Sequence, residues 1–184
     1  HIDGVHSDEK YFSRVDFRKA PHNLYTDFDQ MKQAMKDKGF NQVSPAKYAF
    51  AARPSTEKGL PAQTIHLTYH RLYGCGYQYD EKSGNYTRYT QGKQQLDGET
   101  FQPLTMQNVI VVFAHHSMAD SVHRSIAITG SGRGYLIQKG KSIPIEWRFR
   151  DGLIVPFSGE KELTLLPGKT WVNVLPETGK VEMR

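Results

Sequence analysis

The feature that most constrains this chain is the alternation of apolar and polar residues that begins at Thr64. Ile65, Leu67 and Tyr69 alternate with polar residues, and further short runs of this kind follow to the carboxyl terminus. Successive side chains of a strand point to opposite faces, so a period of two is typical of half-buried strands. The pattern predicts a mainly β fold: an antiparallel β-sandwich or barrel-like domain preceded by a short α segment.

Several strands and turns can be placed within this region. The continuous apolar run NVIVVFA, residues 108–114, predicts a central strand buried on both faces. Tyrosine-rich segments flank DEKSGN, which predicts a hairpin, and QKGK predicts a further tight turn. GSGR is expected to form the turn of a hairpin between 125–129 and 134–138, with its glycines admitting positive φ.

One helix is predicted, over residues 27–38 in TDFDQMKQAMKDKG. Thr26 suits the N-cap, Asp29 follows three residues later as in a capping box, and Gly39 suits the stop. Four residues at helical spacing form one apolar face: Phe28, Met31, Ala34 and Met35. Residues 41–63, with three prolines and little periodicity, are interpreted as a connector to the β-rich domain of residues 64–184.

Charge and cysteine content narrow the possible functions. The chain carries 24 basic and 19 acidic residues, a net charge of +5, and basic residues are densest at 133–150. Such a patch could meet lipid headgroups, wall polymer or nucleic acid, although a solvated face with scattered charges is the simpler interpretation. The single cysteine, Cys75, excludes an internal disulfide, and no activating base stands beside it in sequence.

Metal, nucleotide and catalytic motifs are weak. TGSGRGY lacks the following helix that a phosphate loop needs. His66 and His70 would lie roughly 13 Å apart on a strand, too far for one ion, and His115 and His116 would point to opposite faces. We therefore expect no metal and no cofactor, and with neither a Gly-x-Ser-x-Gly elbow nor a carboxylate pair we lean against an enzyme.

Two clusters remain as candidate ligand sites. RKAPHNLYT, residues 18–26, is either the structural joint before the helix or a ligand site between the two domains. The tyrosines of the predicted hairpin, with nearby arginines, could form a stacking platform for a sugar, peptide or base, although tyrosine is also favoured in half-buried strands for structural reasons. The candidate ligand-binding residues are Arg18, His22, Asn23, Tyr25, Arg88, His115 and Arg133.

An ordered set of segments resembles a known family. The set is FRKAPHNLYT, YDEKSGNYTRYTQGK, LTMQNVIVVF, GSGRGYLIQKGK with EWRF, and LPGKTWVNVLP. Together they resemble the YerB-like family of bacterial lipoproteins of unknown function, over about Phe12 to Pro176. The resemblance implies that residues 1–40 are the carboxy-terminal remnant of an upstream α/β domain. It brings no catalytic residues.

The resemblance also implies a location and a role. A lipid anchor on an upstream segment would hold the protein on the outer face of a bacterial membrane, and that anchor would be its only membrane contact. We expect non-catalytic binding or scaffolding of an anionic or polyhydroxylic cell-envelope ligand, such as wall polymer or lipid headgroup, or of a protein partner. The missing amino-terminal part of the protein is a further expected partner, and specific nucleic-acid binding is not expected. The alternative is a cell-envelope hydrolase or transferase with a histidine-based site at the domain junction.

Overall fold

The computed structural model describes residues 2–40, 47–121 and 123–184. The chain divides into two compact units, an amino-terminal unit of residues 1–45 and a carboxy-terminal unit of residues 46–184. None of the described helices is long and apolar enough to cross a membrane.

The described residues of the amino-terminal unit form one short hairpin, one 3-10 helix and one α-helix. Its elements are a 3-10 helix (Glu9–Tyr11), β1 (Ser13–Arg14), β2 (Leu24–Tyr25) and helix α1 (Phe28–Asp37). Strands β1 and β2 pair antiparallel, so the residues between them form the hairpin loop.

The cap of α1 differs from the sequence prediction. The Asp27 carboxylate accepts a hydrogen bond from the Gln30 backbone N–H at 2.8 Å, whereas the Thr26 hydroxyl donates to the Tyr11 carbonyl at 2.8 Å. The predicted Thr26 cap is therefore wrong, because Thr26 is engaged in tertiary contact and the adjacent carboxylate also complements the helix dipole.

The end of α1 is as predicted. Gly39 has φ +70°, its N–H donates to the Lys36 carbonyl, and the Phe40 N–H donates to the Met35 carbonyl. This is the Schellman arrangement that satisfies the last carbonyl groups of a helix. The apolar face is covered only in part within this unit, since Ala34 is buried and Met31 and Met35 are half-buried, whereas Phe28 is 76% exposed.

The carboxy-terminal unit consists of strands. In chain order they are β3 (Leu60–Pro61), β4 (Thr64–His70), β5 (Tyr73–Asp80), β6 (Asn85–Thr90), β7 (Lys93–Gln94), β8 (Thr105–Met106), β9 (Asn108–Ala114), β10 (His116–Met118), β11 (Arg124–Ile126), β12 (Ser131–Gln138), β13 (Lys141–Arg150), β14 (Leu153–Ser158), β15 (Lys161–Glu162), β16 (Thr170–Pro176) and β17 (Lys180–Met183).

Two sheets and a separate hairpin organise these strands. The large sheet has the order β15-β14-β13-β12-β9-β16, with β3 also paired to β13, and the small sheet has the order β17-β4-β5-β6-β7, with β8 also paired to β6. All these pairs are antiparallel except β16 with β9, and β10 pairs with β11 in a hairpin of its own.

The core lies between the two sheets, so the carboxy-terminal unit is a β-sandwich. Inward-facing side chains of both sheets form one apolar cluster that includes Ile65, Leu67, Tyr77, Tyr86, Val109, Val111, Phe113, Ile137 and Leu175. The mainly β, sandwich-type fold predicted from the alternation is confirmed.

Strand β9 is buried along its whole length, as the apolar run predicted. Its alternate residues face a second cluster on the other side of the large sheet, where Ile110 and Val112 pack with Leu136, Trp147 and Leu165. Because both faces of the strand are covered, both sets of side chains are apolar.

Two of the three predicted turns form. DEKSGN connects β5 to β6, and Lys139 and Gly140, with φ of +49° and +72°, form the two-residue turn of β12 and β13. The predicted GSGR hairpin is wrong, because β12 already begins at Ser131 and β11 pairs with β10.

Close packing explains the glycines of that segment instead. A Cβ on Gly132 would lie 2.8 Å from the Trp147 ring nitrogen, and a Cβ on Gly134 would overlap the Val111 carbonyl oxygen. Neither residue has positive φ. Glycine is needed here because a neighbouring strand and ring approach the backbone closely.

The described part of the predicted connector packs on the carboxy-terminal unit. Strand β3 pairs with β13, and Ser55 and Thr56 both bond to Gln138, at 2.9 Å in each case. Residues 41–46 of that segment lie outside the described residues.

Candidate ligand-binding site

A cavity of about 490 Å³ lies where β9 ends and β12 begins, beside Trp147 of β13. Gly130 and Gly132 contribute no side chains to it, which leaves the space open. Trp147 lies at its base, 1% exposed, with its ring N–H donating to the Phe113 carbonyl at 3.0 Å. The base of the cavity is thus fixed by a hydrogen bond that joins two strands of the large sheet.

Arg133 is the main cationic group of the cavity. Its guanidinium carbon lies 3.9 Å from the centroid of the Phe113 ring, a close cation–π contact. Its cross-strand neighbour is Glu146, but that carboxylate binds Arg148 at 2.8 Å. Within the described ranges, the Arg133 guanidinium has no carboxylate partner, so its N–H groups are available to an acceptor in the cavity.

His115 lies at the rim of the same cavity. Its Nδ1 lies 3.8 Å from a Glu177 carboxylate oxygen, beyond hydrogen-bond distance, and both side chains are about two-thirds exposed. The structure therefore brings two of the sequence-predicted residues, His115 and Arg133, to one cavity.

His116 is the first residue of β10 and, unlike His115, is not among the residues that line the cavity. Its Nε2 is buried and has no hydrogen-bond partner in the described part of the chain. Burial lowers the pKa of this imidazole, and the nearby positive charge of Arg124 adds to the effect. The ring is thereby favoured in its neutral form.

Arg88 does not belong to this cavity. It is 6% exposed, its Nε donates to the Tyr77 hydroxyl at 3.3 Å, and its guanidinium lies 4.5 Å from the Trp171 ring centroid. Nη1 donates to the Thr90 hydroxyl. These contacts place Arg88 in the sandwich interior, where it holds core side chains in position.

The other four predicted residues lie in the amino-terminal unit, where three of them have side-chain contacts. Asn23 accepts from the Arg14 guanidinium at 2.8 Å and donates to the Val15 carbonyl at 3.2 Å. Arg18 lies over the Tyr25 ring at 5.9 Å. These contacts stabilise the β1–β2 hairpin, and a ligand role for Arg18, His22, Asn23 and Tyr25 stays a prediction.

Two of the five basic residues at 133–150 pair with carboxylates. Arg148 binds both carboxylate oxygens of Glu160, at 3.0 and 3.1 Å, and Arg150 binds Glu162. The Arg148 guanidinium holds the pKa of Glu160 below its usual value. Arg133 is therefore distinguished from these arginines because its guanidinium lacks such a partner among the described residues.

Among its described lining residues, the cavity offers no pair of a hydroxyl and a histidine for catalysis. The hydroxyls of Thr129 and Ser131 line the cavity, but neither bonds to His115. Cys75 is buried in the sandwich core, where desolvation raises the pKa of its thiol. Among the residues that the structure describes, no three of His, Cys, Asp and Glu gather closely enough to hold a metal ion.

Sequence reasoning missed the groups that shape the cavity. Phe113 and Trp147 are separated by 34 residues, and only the pairing of three strands brings them together. The one available signal was GSGRG, whose alternate glycines mark a strand face without side chains.

The fold defines a two-unit, mainly β protein, and comparison with known families places it further. Residues 65–172 match the model described as "Protein of unknown function (DUF3048) C-terminal domain", and residues 1–41 match the corresponding N-terminal domain model. The chain therefore belongs to this family of proteins of unknown function.

The sequence and the crystal structure of YerB from Bacillus subtilis agree with this assignment. The chain is 33% identical over 181 residues to "Putative lipoprotein YerB" of Bacillus subtilis (strain 168). This alignment covers 96% of the chain and 55% of the relative. The crystal structure of YerB protein from Bacillus subtilis is similar with a TM-score of 0.78 and 32% identity, over 97% of this chain and 62% of that one. The chain thus spans little more than half the length of its curated relative, and the expected YerB-like membership is confirmed.

Proposed function

We propose that this chain is the non-catalytic binding part of a lipoprotein held on the outer face of a bacterial membrane, and that its Arg133 cavity binds an anionic group of a cell-envelope polymer. The observation that carries the proposal is the Arg133 guanidinium, stacked on Phe113 at the cavity with no carboxylate partner among the described residues. The name of the relative, "Putative lipoprotein YerB", supports the location.

The chemistry of the ligand group follows from the guanidinium. A planar guanidinium presents paired N–H donors that match the oxygens of phosphate or carboxylate. Stacking on Phe113 restrains the side chain in advance, which lowers the entropy lost on binding. A phosphate or carboxylate group carried by an envelope polymer fits this site.

Binding can be tested by calorimetry with a synthetic glycerol phosphate oligomer as the probe. The informative variants are Arg133→Met, which removes the charge, and Arg133→Lys, which keeps it without the paired donors. Lys161→Met, on the edge strand β15 of the same sheet, removes an equal charge elsewhere. We expect a loss of about tenfold or more for Arg133→Met, a smaller loss for Arg133→Lys, and affinity within about twofold for Lys161→Met.

The controls separate the sources of negative charge. Vesicles with and without anionic lipid test the headgroup alternative, and inorganic phosphate tests a group free of polymer. Equal losses in Arg133→Met and Lys161→Met, in variants shown to be folded by circular dichroism, would overturn the proposal, as would binding that does not weaken with salt.

We also propose that the apolar face of α1 packs against a further part of the longer protein. Phe28 of α1 is 76% exposed, and the curated relative extends well beyond the matched region. Packing of a further segment on α1 would extend the apolar contacts of Met31, Ala34 and Met35 to Phe28 and remove this ring from water. If the longer protein is prepared, amide exchange in α1 should slow relative to the present chain, and unchanged exchange would contradict this role.

A further inference from the structure

A second depression lies on the outer face of the small sheet, over its central strand β5. Its volume is about 420 Å³, and it runs over Gly74 and Gly76 between the side chains of the two flanking strands. Ile65 and Tyr77 in the same strands point into the core. Because strand residues alternate, Gly74 and Gly76 face away from it.

One cross-strand row defines the centre of this depression. Gly76 pairs with His66 of β4 on one side and with Tyr89 of β6 on the other. Neighbouring strands lie about 4.8 Å apart, so these two rings rise from backbones about 10 Å apart. Gly76 carries no side chain between them, and the His66 Nδ1 atom lies 3.6 Å from the position that a Cβ on Gly76 would occupy, so the imidazole forms one wall of a slot over this glycine.

The glycines are required by the backbone as well. A Cβ on Gly74 would lie 2.8 Å from the Leu67 carbonyl oxygen, and a Cβ on Gly76 would lie 3.0 Å from that of Ile65. The close approach of β4 and β5 therefore keeps the floor free of side chains. A glycine inside a strand weakens the sheet, and two on one face commonly accompany a ligand or a close backbone.

Fixed polar groups surround the slot. The Tyr89 hydroxyl donates to the Gln78 side-chain carbonyl at 3.4 Å. The Gln91 side chain accepts from the Gly74 N–H at 3.1 Å and donates to the Leu72 carbonyl at 2.6 Å. These bonds restrain the side chains that a ligand would meet, which reduces the entropy lost on binding.

The lining is uncharged, although 23% of the chain is charged. Its side chains supply hydroxyl, amide and imidazole groups together with an aromatic ring. This set suits a ligand with many hydroxyls and no charge, since sugar rings present hydroxyls at their rim and C–H groups on their faces. Aromatic rings with a polar tip, such as Tyr89, meet both kinds of surface.

A second hollow adjoins the depression at Tyr89. It has a volume of about 340 Å³, shares Gln78 and Tyr89 with the first and is also lined by Asp80 and Glu81. Two adjoining hollows fit a chain of sugars better than a single sugar. The carboxylates at its end disfavour nucleic acid and anionic polymers, because like charges repel. A peptide cannot add as a strand, because β5 is paired on both sides.

We propose that the outer face of β4, β5 and β6 binds a neutral oligosaccharide, with one sugar over Gly76 between His66 and Tyr89 and the chain continuing past Tyr89. The site is separate from the Arg133 cavity and takes an uncharged ligand. The two proposals can therefore fail independently.

Nuclear magnetic resonance titration of the whole chain tests the proposal. The probes are the neutral tetrasaccharide of N-acetylglucosamine, the glucose tetrasaccharide, and the monosaccharide of each. We expect saturable shifts in the backbone amides of Gly74, Gly76, Gln78 and Tyr89, tighter binding of at least one tetrasaccharide than of its monosaccharide, and an affinity that does not change with salt.

Two variants test whether tetrasaccharide binding takes place at the slot. Tyr89→Ala should weaken tetrasaccharide binding about tenfold, since the loss of one aromatic stacking contact is of this order. Phe101→Ala removes another exposed aromatic ring, 72% exposed, outside both hollows, and should bind within about twofold of the unchanged chain. Arg133→Met should also leave this binding unchanged.

Three outcomes would overturn the proposal. They are the absence of saturable shifts with either tetrasaccharide, shifts confined to other surfaces, and equal losses in Tyr89→Ala and Phe101→Ala. The amide spectrum of each variant shows whether it is folded, and Tyr89→Leu replaces Tyr89→Ala if the alanine variant is not.

Discussion

The side-chain carbonyl of Asn173 in β16 accepts a hydrogen bond from the Tyr77 hydroxyl of β5 at 2.8 Å, which ties the two sheets together through the core. The same oxygen also accepts from the Tyr69 hydroxyl at 3.1 Å, and the Asn173 amide donates to the Ile110 carbonyl at 3.3 Å. Asn173 is 1% exposed. Asn173 is thus a buried polar residue whose hydrogen bonds form only when the two sheets are packed in their native positions.

Asn173→Ala should lower the free energy of unfolding by about 2–4 kcal/mol, because it leaves buried hydroxyls without an acceptor. Urea unfolding of Asn173→Ala, Tyr77→Phe and the double variant measures the coupling. We expect the double variant to lose at least about 1 kcal/mol less than the sum of the singles. Strict additivity would show that the two side chains do not act together.

Much of the sandwich could be predicted from the sequence, because its strands show in local alternation and its central strand in an apolar run. The buried position of Asn173 could not be predicted from the sequence, since a polar residue within a strand ordinarily faces solvent. Its inward position makes sense only once tyrosine hydroxyls of the opposite sheet surround it.

In the candidate site, too, some residues could be predicted from the sequence and others could not. His115 and Arg133 were named from their residue types, and the structure brings both to one cavity. Arg88 resembled a surface cation in sequence, yet it stacks on Trp171, which lies 83 positions later in the chain. Contacts over such separations depend on strand order, which residue patterns do not encode.

Stability should fall at alkaline pH because of buried tyrosines. Burial raises the pKa of Tyr77 and Tyr86 above the usual value near 10. In the unfolded chain these hydroxyls ionise from about pH 10, so the unfolded state then binds fewer protons than the folded state. The two buried tyrosines therefore make their full contribution to stability below about pH 10, and this contribution is lost as the pH rises further.

Above about pH 10, the free energy of unfolding should fall by about 1.4 kcal/mol per pH unit for each such tyrosine. Urea unfolding between pH 9 and pH 11 should show a shallower decline for Tyr77→Phe than for the unchanged chain. Met106→Leu, a buried substitution without a titratable group, should shift stability equally at each pH. A decline of the same slope in Tyr77→Phe would contradict the assignment.

Cys75 should be unreactive in the folded chain. Its side chain lies in the core, 6% exposed, and burial raises the pKa of the thiol, which reduces the fraction of reactive thiolate. We expect a thiol reagent at neutral pH to modify Cys75 at least about a hundredfold more slowly in buffer than in denaturant. Rapid modification in buffer would show that the sulfur is accessible and that a chemical role for it must be reconsidered.

Gly134 and Gly130 form a matched pair for testing why glycines occur in GSGRG. A methyl group at Gly134 would overlap the Val111 carbonyl oxygen, whereas one at Gly130 would meet nothing within 4 Å. Gly134→Ala must therefore force β12 and β9 apart and should cost about 2–4 kcal/mol of unfolding free energy. Gly130→Ala should change it by less than about 0.5 kcal/mol. Chemical denaturation of both variants measures the difference. Similar stabilities would mean that the strands accommodate a side chain and that close approach is not the reason for glycine at this position.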